Sequence, residues 1–329
     1  MIRRRTALAG LAGFMTAGHA SAQAAWPAQP VTITVPFSPG GSADLLARLV
    51  AEHAAPALGG GARVVVENRA GAGGTIGANH VRRQQPDGYS LLLATPSTHG
   101  TVPAIQPDVV GYHPVNDFAP IAIMGRAPLA LAVPTNSPHR DAASLIAWIR
   151  ANPGRASWGS SGVGSIGHLT GELMNLLGNG LQAEHIPYRG GADVAAALAG
   201  GQITYAWEPI ASLSPGFGAG HFRGIAVSTP ARHPGFRDIG TMQEAGLSGF
   251  ETSTWNVLVG PAGLPTALAQ RINRAVNSAL AVPAVRDRLG TAGVDAVSDS
   301  TTESTRAFLA SQFATYQDVV RRANLRPAG

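Results

Sequence analysis

The stretch "GSSGVGSIGHL", residues 159–169, spaces its glycines as Gly162-x-Gly164-x-x-Gly167 between an apolar run and a helix-like run. That order matches a dinucleotide-binding fingerprint, in which a strand feeds a glycine turn that opens a helix. A nicotinamide domain also needs an acidic residue about 20 positions further on, at the end of the second strand. Glu184 has nearly that spacing, but it lies early in "LQAEHIPY" (181–188), whose far end is Tyr188-Arg189. The turn opens a helix without the rest of the dinucleotide apparatus, and no cofactor is expected.

Working outward, the same order occurs twice. In the first half "VTITVPF" (31–37) reads as a buried strand, "SPGGSAD" (38–44) breaks it, and Leu45, Leu46, Leu49 and Val50 then share one helical face. A second strand, "ARVVVEN" (62–68), ends at Arg69 and "AGAGG". A helix through Val81 stops at Pro86-Asp87-Gly88, and the strand "YSLLLAT" (89–95) leads into the polar loop "PSTHG" (96–100). The second half repeats this as "ASWGSS" (156–161), "GVGSIG" (162–167) and the helix-like "HLTGELMNLLG" (168–178). The strand "LQAEHIPY", the helix "ADVAAALAGG" (192–201) and the strand "QITYAW" (202–207) follow, before the loop "EPIAS" (208–212).

Two β-loop-α-β-α-β units imply two similar α/β lobes with parallel sheets, which bind ligands outside the carboxyl ends of their strands. If the lobes face each other, both glycine loops meet at one cleft. The apolar segments 118–135 and 250–263 read as strands crossing between lobes. That places residues 25–125 and 247–329 in lobe I and 126–246 in lobe II. In the C-terminal part Pro265 is positioned to open a helix, and Ser300-Thr301-Thr302-Glu303 fits a capping box before a last helix through Val320.

The chain begins with Arg3-Arg4-Arg5, an apolar stretch from Ala7 to Gly18 and Ala22-Gln23-Ala24. These are the three parts of a secretory signal peptide, with cleavage expected near Ala24 and a periplasmic destination. There is no cysteine, hence no disulfide or thiolate chemistry. The formal charge of +5 includes three leader arginines; without them 21 Arg face 19 acidic residues, a balance of +2. The arginines are scattered and there is no lysine, which argues against nucleic acid as a partner. The histidines show no metal-ligand spacing. "WGSSGVG" is not a nucleophile elbow, so a secreted hydrolase using Ser161 or Ser165 is a minor alternative, and no catalytic residue is assigned.

The two loops share one chemistry. A helix N-terminus leaves backbone N–H groups without partners and carries partial positive charge. Glycine allows close approach, and serine hydroxyls add donors. Such a site suits an anion. Neither loop carries Arg or Lys, so the expected anion is a carboxylate held by neutral donors. Arg69 and Arg189, at equivalent strand ends, could reach a far carboxylate, although surface ion pairs are their more ordinary use.

On these residues the chain resembles the periplasmic substrate-binding proteins of tripartite tricarboxylate transporters, the Bug-type solute receptors. The resemblance rests on "VPFSPGGSAD" (35–44), "VVENRAGAGGTIGA" (65–78), "PDGYSLLLATPS" (86–97), "GSSGVGSIGHL", "IPYRGGADV" (186–194) and "EAGLSGFETSTWNVLVGPAGLP" (244–265), in the family's order. It implies a Venus-flytrap fold of type II and a monomer that closes on a small organic carboxylate and hands it to membrane permease subunits. A sensor that signals to a membrane kinase is the alternative use of such a fold. The ligand-binding residues it implies are Phe37, Ser38, Gly40, Gly41, Ser42, Asp44, Thr95, Ser97, Ser160, Ser161, Gly162, Gly164, Ser165, His168, Tyr188 and Gly190. Asp44 and His168 are read as organisers of the helix starts. The family usually carries Asp where Glu208 stands, and Glu208 joins the expected site with an extra methylene.

Overall fold

The computed structural model describes residues 26–59 and 61–322; the leader and its cleavage site lie outside them. Eleven strands are described: β1 Val31–Val35, β2 Val64–Asn68, β3 Ser90–Ala94, β4 Phe118–Ala127, β5 Leu129–Pro134, β6 Ala156–Ser160, β7 Ala183–Pro187, β8 Tyr205–Pro209, β9 Phe222–Val227, β10 Thr254–Pro261 and β11 Asp295–Ala296. The helices are α1 Ser42–Leu58, α2 Thr75–Arg82, the short α3 Val102–Ile105 and α4 Pro107–Val110, α5 Ala142–Ala151, α6 Ile166–Leu177, α7 Gly191–Ala199, α8 Ile210–Gly218, α9 Thr266–Ala281, α10 Pro283–Thr291 and α11 Thr302–Arg322.

The strands form two sheets, ordered β11-β4-β10-β3-β1-β2 and β7-β6-β8-β5-β9. Each contains the expected parallel trio, β2-β1-β3 in one and β7-β6-β8 in the other. The sheets are mixed rather than wholly parallel, because β10 runs antiparallel to β3 and β4, and β5 runs antiparallel to β8 and β9. The crossings explain this departure. The parallel strands end at the cleft, so a strand that enters a lobe from the cleft must run against them. β5 enters the second sheet after β4 leaves the first, with only Pro128 between. β10 makes the return journey.

One residue staples both crossings. Ser228, fully buried just after β9, accepts the Leu129 N–H at its Oγ (2.9 Å) and donates that hydroxyl to Thr252 O (2.7 Å). Its backbone N–H donates to Leu129 O, and its carbonyl accepts from Thr252 N.

The apolar core divides by layer rather than by lobe. One cluster joins Leu46 and Val50 of α1 to Val194, Ile210 and Leu213; the other joins Leu92 and Val102 to Trp158 and Trp207. Trp158, Trp207 and Trp255 are among the largest fully buried side chains. The "PSTHG" segment, expected as a polar loop, is a buried helical turn over Ser97–Thr101, with Gly100 pressed against the Tyr316 ring. The last helix starts one residue later than the capping box implied. Thr301 and Ser304 cap each other, through Ser304 N–H to Thr301 Oγ1 and Thr301 N–H to Ser304 Oγ, while Ser300 binds the Ile123 backbone in β4.

Candidate functional site

The first glycine loop joins β1 to α1. Gly40 adopts φ +84°, a left-handed conformation that favours glycine, and its N–H donates to Asp44 Oδ2 at 2.9 Å. Asp44, in the first turn of α1, is buried and also accepts from Arg48 Nε (2.9 Å) and Asn68 Nδ2 (3.0 Å). Burial pushes its carboxyl pKa up, but the Arg48, Gly40 and Asn68 hydrogen bonds outweigh that and hold it below the usual value.

The second loop joins β6 to α6 with the same offset. Gly164 has φ +76°, and its N–H donates to His168 Nδ1 at 3.2 Å. Ser165 caps α6, its Oγ accepting from His168 N (3.1 Å). His168 stacks on Trp158 and lies 4.4 Å, ring to ring, from His185, whose Nε2 is 2.8 Å from Ser160 Oγ. Burial pushes His168 down to about 4. Burial, with the neighbouring His168, pushes His185 down to about 3. The second loop therefore rests on neutral rings where the first rests on a charged acid.

Between the loops lies a narrow cleft of about 40 Å³. From the first lobe Phe37, Ser38, Gly41, Ser42, Asp44, Thr95 and Ser97 face it, and from the second Ser161, Ser165 and Glu208. The lobes touch across it. Ser42 N–H donates to Ser212 Oγ (2.9 Å), Ser38 Oγ to Asp193 Oδ2 (3.0 Å), and Ile166 N–H to Ser97 Oγ (3.1 Å). Thr101 Oγ1 donates to Gly164 O. In the first-lobe wall Ser42 Oγ and Thr95 Oγ1 are buried without a hydrogen-bond partner. Buried polar atoms ordinarily have one, so these two hydroxyls are open hydrogen-bonding positions of the cleft wall.

Glu208 stands opposite. It is not in a loop, as the sequence implied, but near the end of β8, and only 2% of it is exposed. Its Oε1 accepts from both the N–H and the hydroxyl of Ser161, each at 2.6 Å. Burial pushes its pKa up to about 7, against the opposing pull of those two donors.

A larger hollow of about 640 Å³ lies between α6 and α11. Its lining combines leucines with Glu172 and Glu251 and no basic residue, a poor setting for an anion. The cleft is the better site.

A family profile described as "Tripartite tricarboxylate transporter family receptor" matches residues 46–325. The chain belongs to that family. Three solved structures extend the likeness over nearly the whole fold. The periplasmic binding protein BugD is 30% identical, with a TM-score of 0.87 over 92% of this chain and 99% of its own. A Rhodopseudomonas palustris protein with adipate is 31% identical, with a TM-score of 0.86 over 92% and 100%. MatC from R. palustris, with bound malate, is 29% identical, with a TM-score of 0.84 over 90% and 100%. This tripartite-transporter receptor has the two-lobed fold of those proteins, and its relatives are solute receptors rather than enzymes.

Seven expected residues do not line the receptor's cleft; they build its walls. Gly40, Gly164 and His168 shape the loops as described. Ser160 accepts from Ser165 Oγ (3.2 Å) behind the loop. Gly162, at φ +111°, faces Tyr188 O and the Gly73 backbone. Tyr188 N–H donates to Ser160 O (2.9 Å), and its ring lies over Gly159. Gly190 lies so close to Ser38 that a Cβ would collide with it. Arg69 pairs with Glu67 (2.7 Å), and neither Arg69 nor Arg189 faces the cleft.

The residues named from the sequence leave out Ala43, Ile166, Gly167, Gly191, Pro209, Ser212, Thr254 and Asn256 of the lining, although the resemblance carried the cleft through Gly191 and the loop after "QITYAW". Gly191 was legible from the twin glycines after Tyr188. Thr254 and Asn256 were not, because β10 arrives at the cleft only through tertiary packing.

Proposed function

We propose that this protein is an exported receptor that closes on a small organic carboxylate and delivers it to the membrane permease subunits of a tripartite transporter. The observation that carries the reading is the pair of glycine–serine loops facing one cleft, with Ser42 and Thr95 hydroxyls buried and unpartnered in its wall. Neutral donors at two helix starts suit a carboxylate. The malate and adipate held by the two R. palustris relatives agree with that chemistry. In this reading the leader is removed near Ala24, the mature chain works as a periplasmic monomer, and residues 25–125 with 247–329 close against 126–246.

The test is a panel of small carboxylic acids scored by thermal shift and by small-angle scattering. A true ligand stabilises by mass action, about 2.7 kcal/mol at a hundredfold excess over its Kd. It should also reduce the radius of gyration, because both lobes supply contacts. A binder that raises Tm while leaving scattering unchanged would place the ligand on one lobe and defeat the two-lobe clamp.

A further inference from the structure

The two walls of the cleft are not alike. The first-lobe wall offers unpartnered hydroxyls, Ser42 Oγ and Thr95 Oγ1. At the second-lobe wall the donors an anion would seek are already engaged, since the Ser161 N–H and hydroxyl both point to Glu208 Oε1. The other oxygen, Oε2, faces Gly191, where even a Cβ would come within 2.9 Å. Among the described residues no cation pairs with Glu208.

We propose that Glu208 is the specificity-determining residue of this cleft, admitting at the Ser161 end only a group that supplies a hydrogen-bond donor, so that a dicarboxylate is captured together with one proton. The inference rests on the carboxylate-receptor reading. A ligand's first carboxylate keeps its charge against Ser42 and Thr95. Its second meets a buried carboxyl, and two carboxylates confined to one site cannot both stay ionised. The proton comes from solvent and is shared between Glu208 and that second carboxylate. An ammonium group at the same place brings its own donor and needs no added proton.

The acidity of the free site is compatible with this, as Glu208 already titrates near neutrality. The other titratable or charged groups on the surrounding elements are Asp44, Arg48, Glu52 and His53 on α1, His168 and Glu172 on α6, Glu184 and His185 on β7, Tyr205 on β8 itself and Asp193 on α7. Asp44 is held low, and the two histidines stay neutral above about pH 4. Asp193 is engaged with Ser38, and Asp193→Asn serves as the control.

The experiment is calorimetry with succinate, malate, adipate and 4-aminobutyrate, in buffers of different ionisation heat, on wild type, Glu208→Gln and Asp193→Asn. Below about pH 7 wild-type affinity for a dicarboxylate should be flat, and above it Kd should rise about tenfold per pH unit with uptake of one proton. Glutamine keeps an acceptor for Ser161 and offers an amide donor to the ligand. Glu208→Gln should therefore bind the same acid with no proton uptake and no pH slope, and more tightly than wild type at about pH 8. Asp193→Asn should retain the slope. At that pH 4-aminobutyrate should bind wild type without proton uptake. Dicarboxylate binding at about pH 8 without proton uptake, or a wild-type slope in Glu208→Gln, overturns the inference and leaves the receptor reading intact. If none of the four acids binds at any pH, the receptor reading falls and takes the inference with it.

Discussion

The two glycine loops have one geometry and two chemistries. In each, a left-handed glycine donates its N–H to a side chain four residues on, Gly40 to Asp44 and Gly164 to His168. Asp44 is a charged acceptor with three donors, sealed by Arg48 and Asn68. His168 is a neutral acceptor with one donor, stacked among Trp158 and His185. A repeated backbone solution therefore does not imply a repeated electrostatic one. The first lobe keeps its loop with charge and leaves hydroxyls free for a ligand. The second keeps its loop with aromatic packing and places its buried acid, Glu208, in the cleft.

The largest contrast should come from alanine at the two glycines. Both positions carry the same conformational strain, about 1–3 kcal/mol for a non-glycine residue. They differ in surroundings. A Cβ at Gly40 finds Ala192 Cβ no nearer than 3.6 Å, whereas one at Gly164 meets Val102 Cγ2 at 2.7 Å. Overpacking adds about 1–3 kcal/mol, so Gly164→Ala should cost roughly 2–6 kcal/mol and Gly40→Ala about 1–3. Denaturant unfolding of both variants checks this. Equal losses would mean that Val102 yields freely and that the second loop is no more tightly held than the first.

A middle-sized effect separates the acceptors by pH. Asp44 has a lowered pKa, so its contribution is complete above its unfolded value and lost only as pH falls through the still lower folded one. His168 is also lowered, from 6.5 to about 4, so the unfolded chain binds more protons between those values and stability drops as pH falls across that window. Protonated Nδ1 can no longer accept the Gly164 N–H. Glu208 runs the other way: with a folded pKa near 7 against 4.5 unfolded, it stabilises at low pH and loses that contribution as pH rises. The opposing slopes overlap, which flattens the global melting curve and hides both. Hydrogen exchange at the two glycine amides sees past this. As pH falls through about 4 the Gly164 amide should lose up to about tenfold in protection, the worth of roughly one hydrogen bond, while Gly40, whose acceptor Asp44 is held below the usual carboxylate value, loses protection only at lower pH. Equal loss at both would dissolve the distinction between charged and neutral supports.

The fold was legible because the duplicated order of strand, glycine loop and helix survives in short-range pattern, and so were both cleft loops. The sheet direction at β5 and β10 was not, since it depends on which side of a lobe a strand enters and no local propensity records that. Glu208 was visible as an acid after "QITYAW". Its burial and its hold on Ser161 depend on α6 and α7 packing over β8. Ser228 was passed over entirely: a lone serine after an apolar run carries no sign that two interlobe crossings will converge on it.

The smallest effects should come from the bonds that tie the loops to each other. Ser212→Ala removes the acceptor of the Ser42 N–H, a buried bond, and should cost about 1 kcal/mol. Ser38→Ala removes a partly buried bond to Asp193, where water replaces part of what is lost, and should cost about 0.5 kcal/mol. Neither sum approaches the strain at Gly164. These bonds exist only when the lobes meet, so their loss should fall on closure more than on folding. Each variant should therefore show a near-normal Tm without ligand, a less compact scattering profile, and a carboxylate Kd weakened by less than about tenfold. A full loss of Tm with no change in scattering would show that the serines support their own lobes and play no part in holding the two loops together.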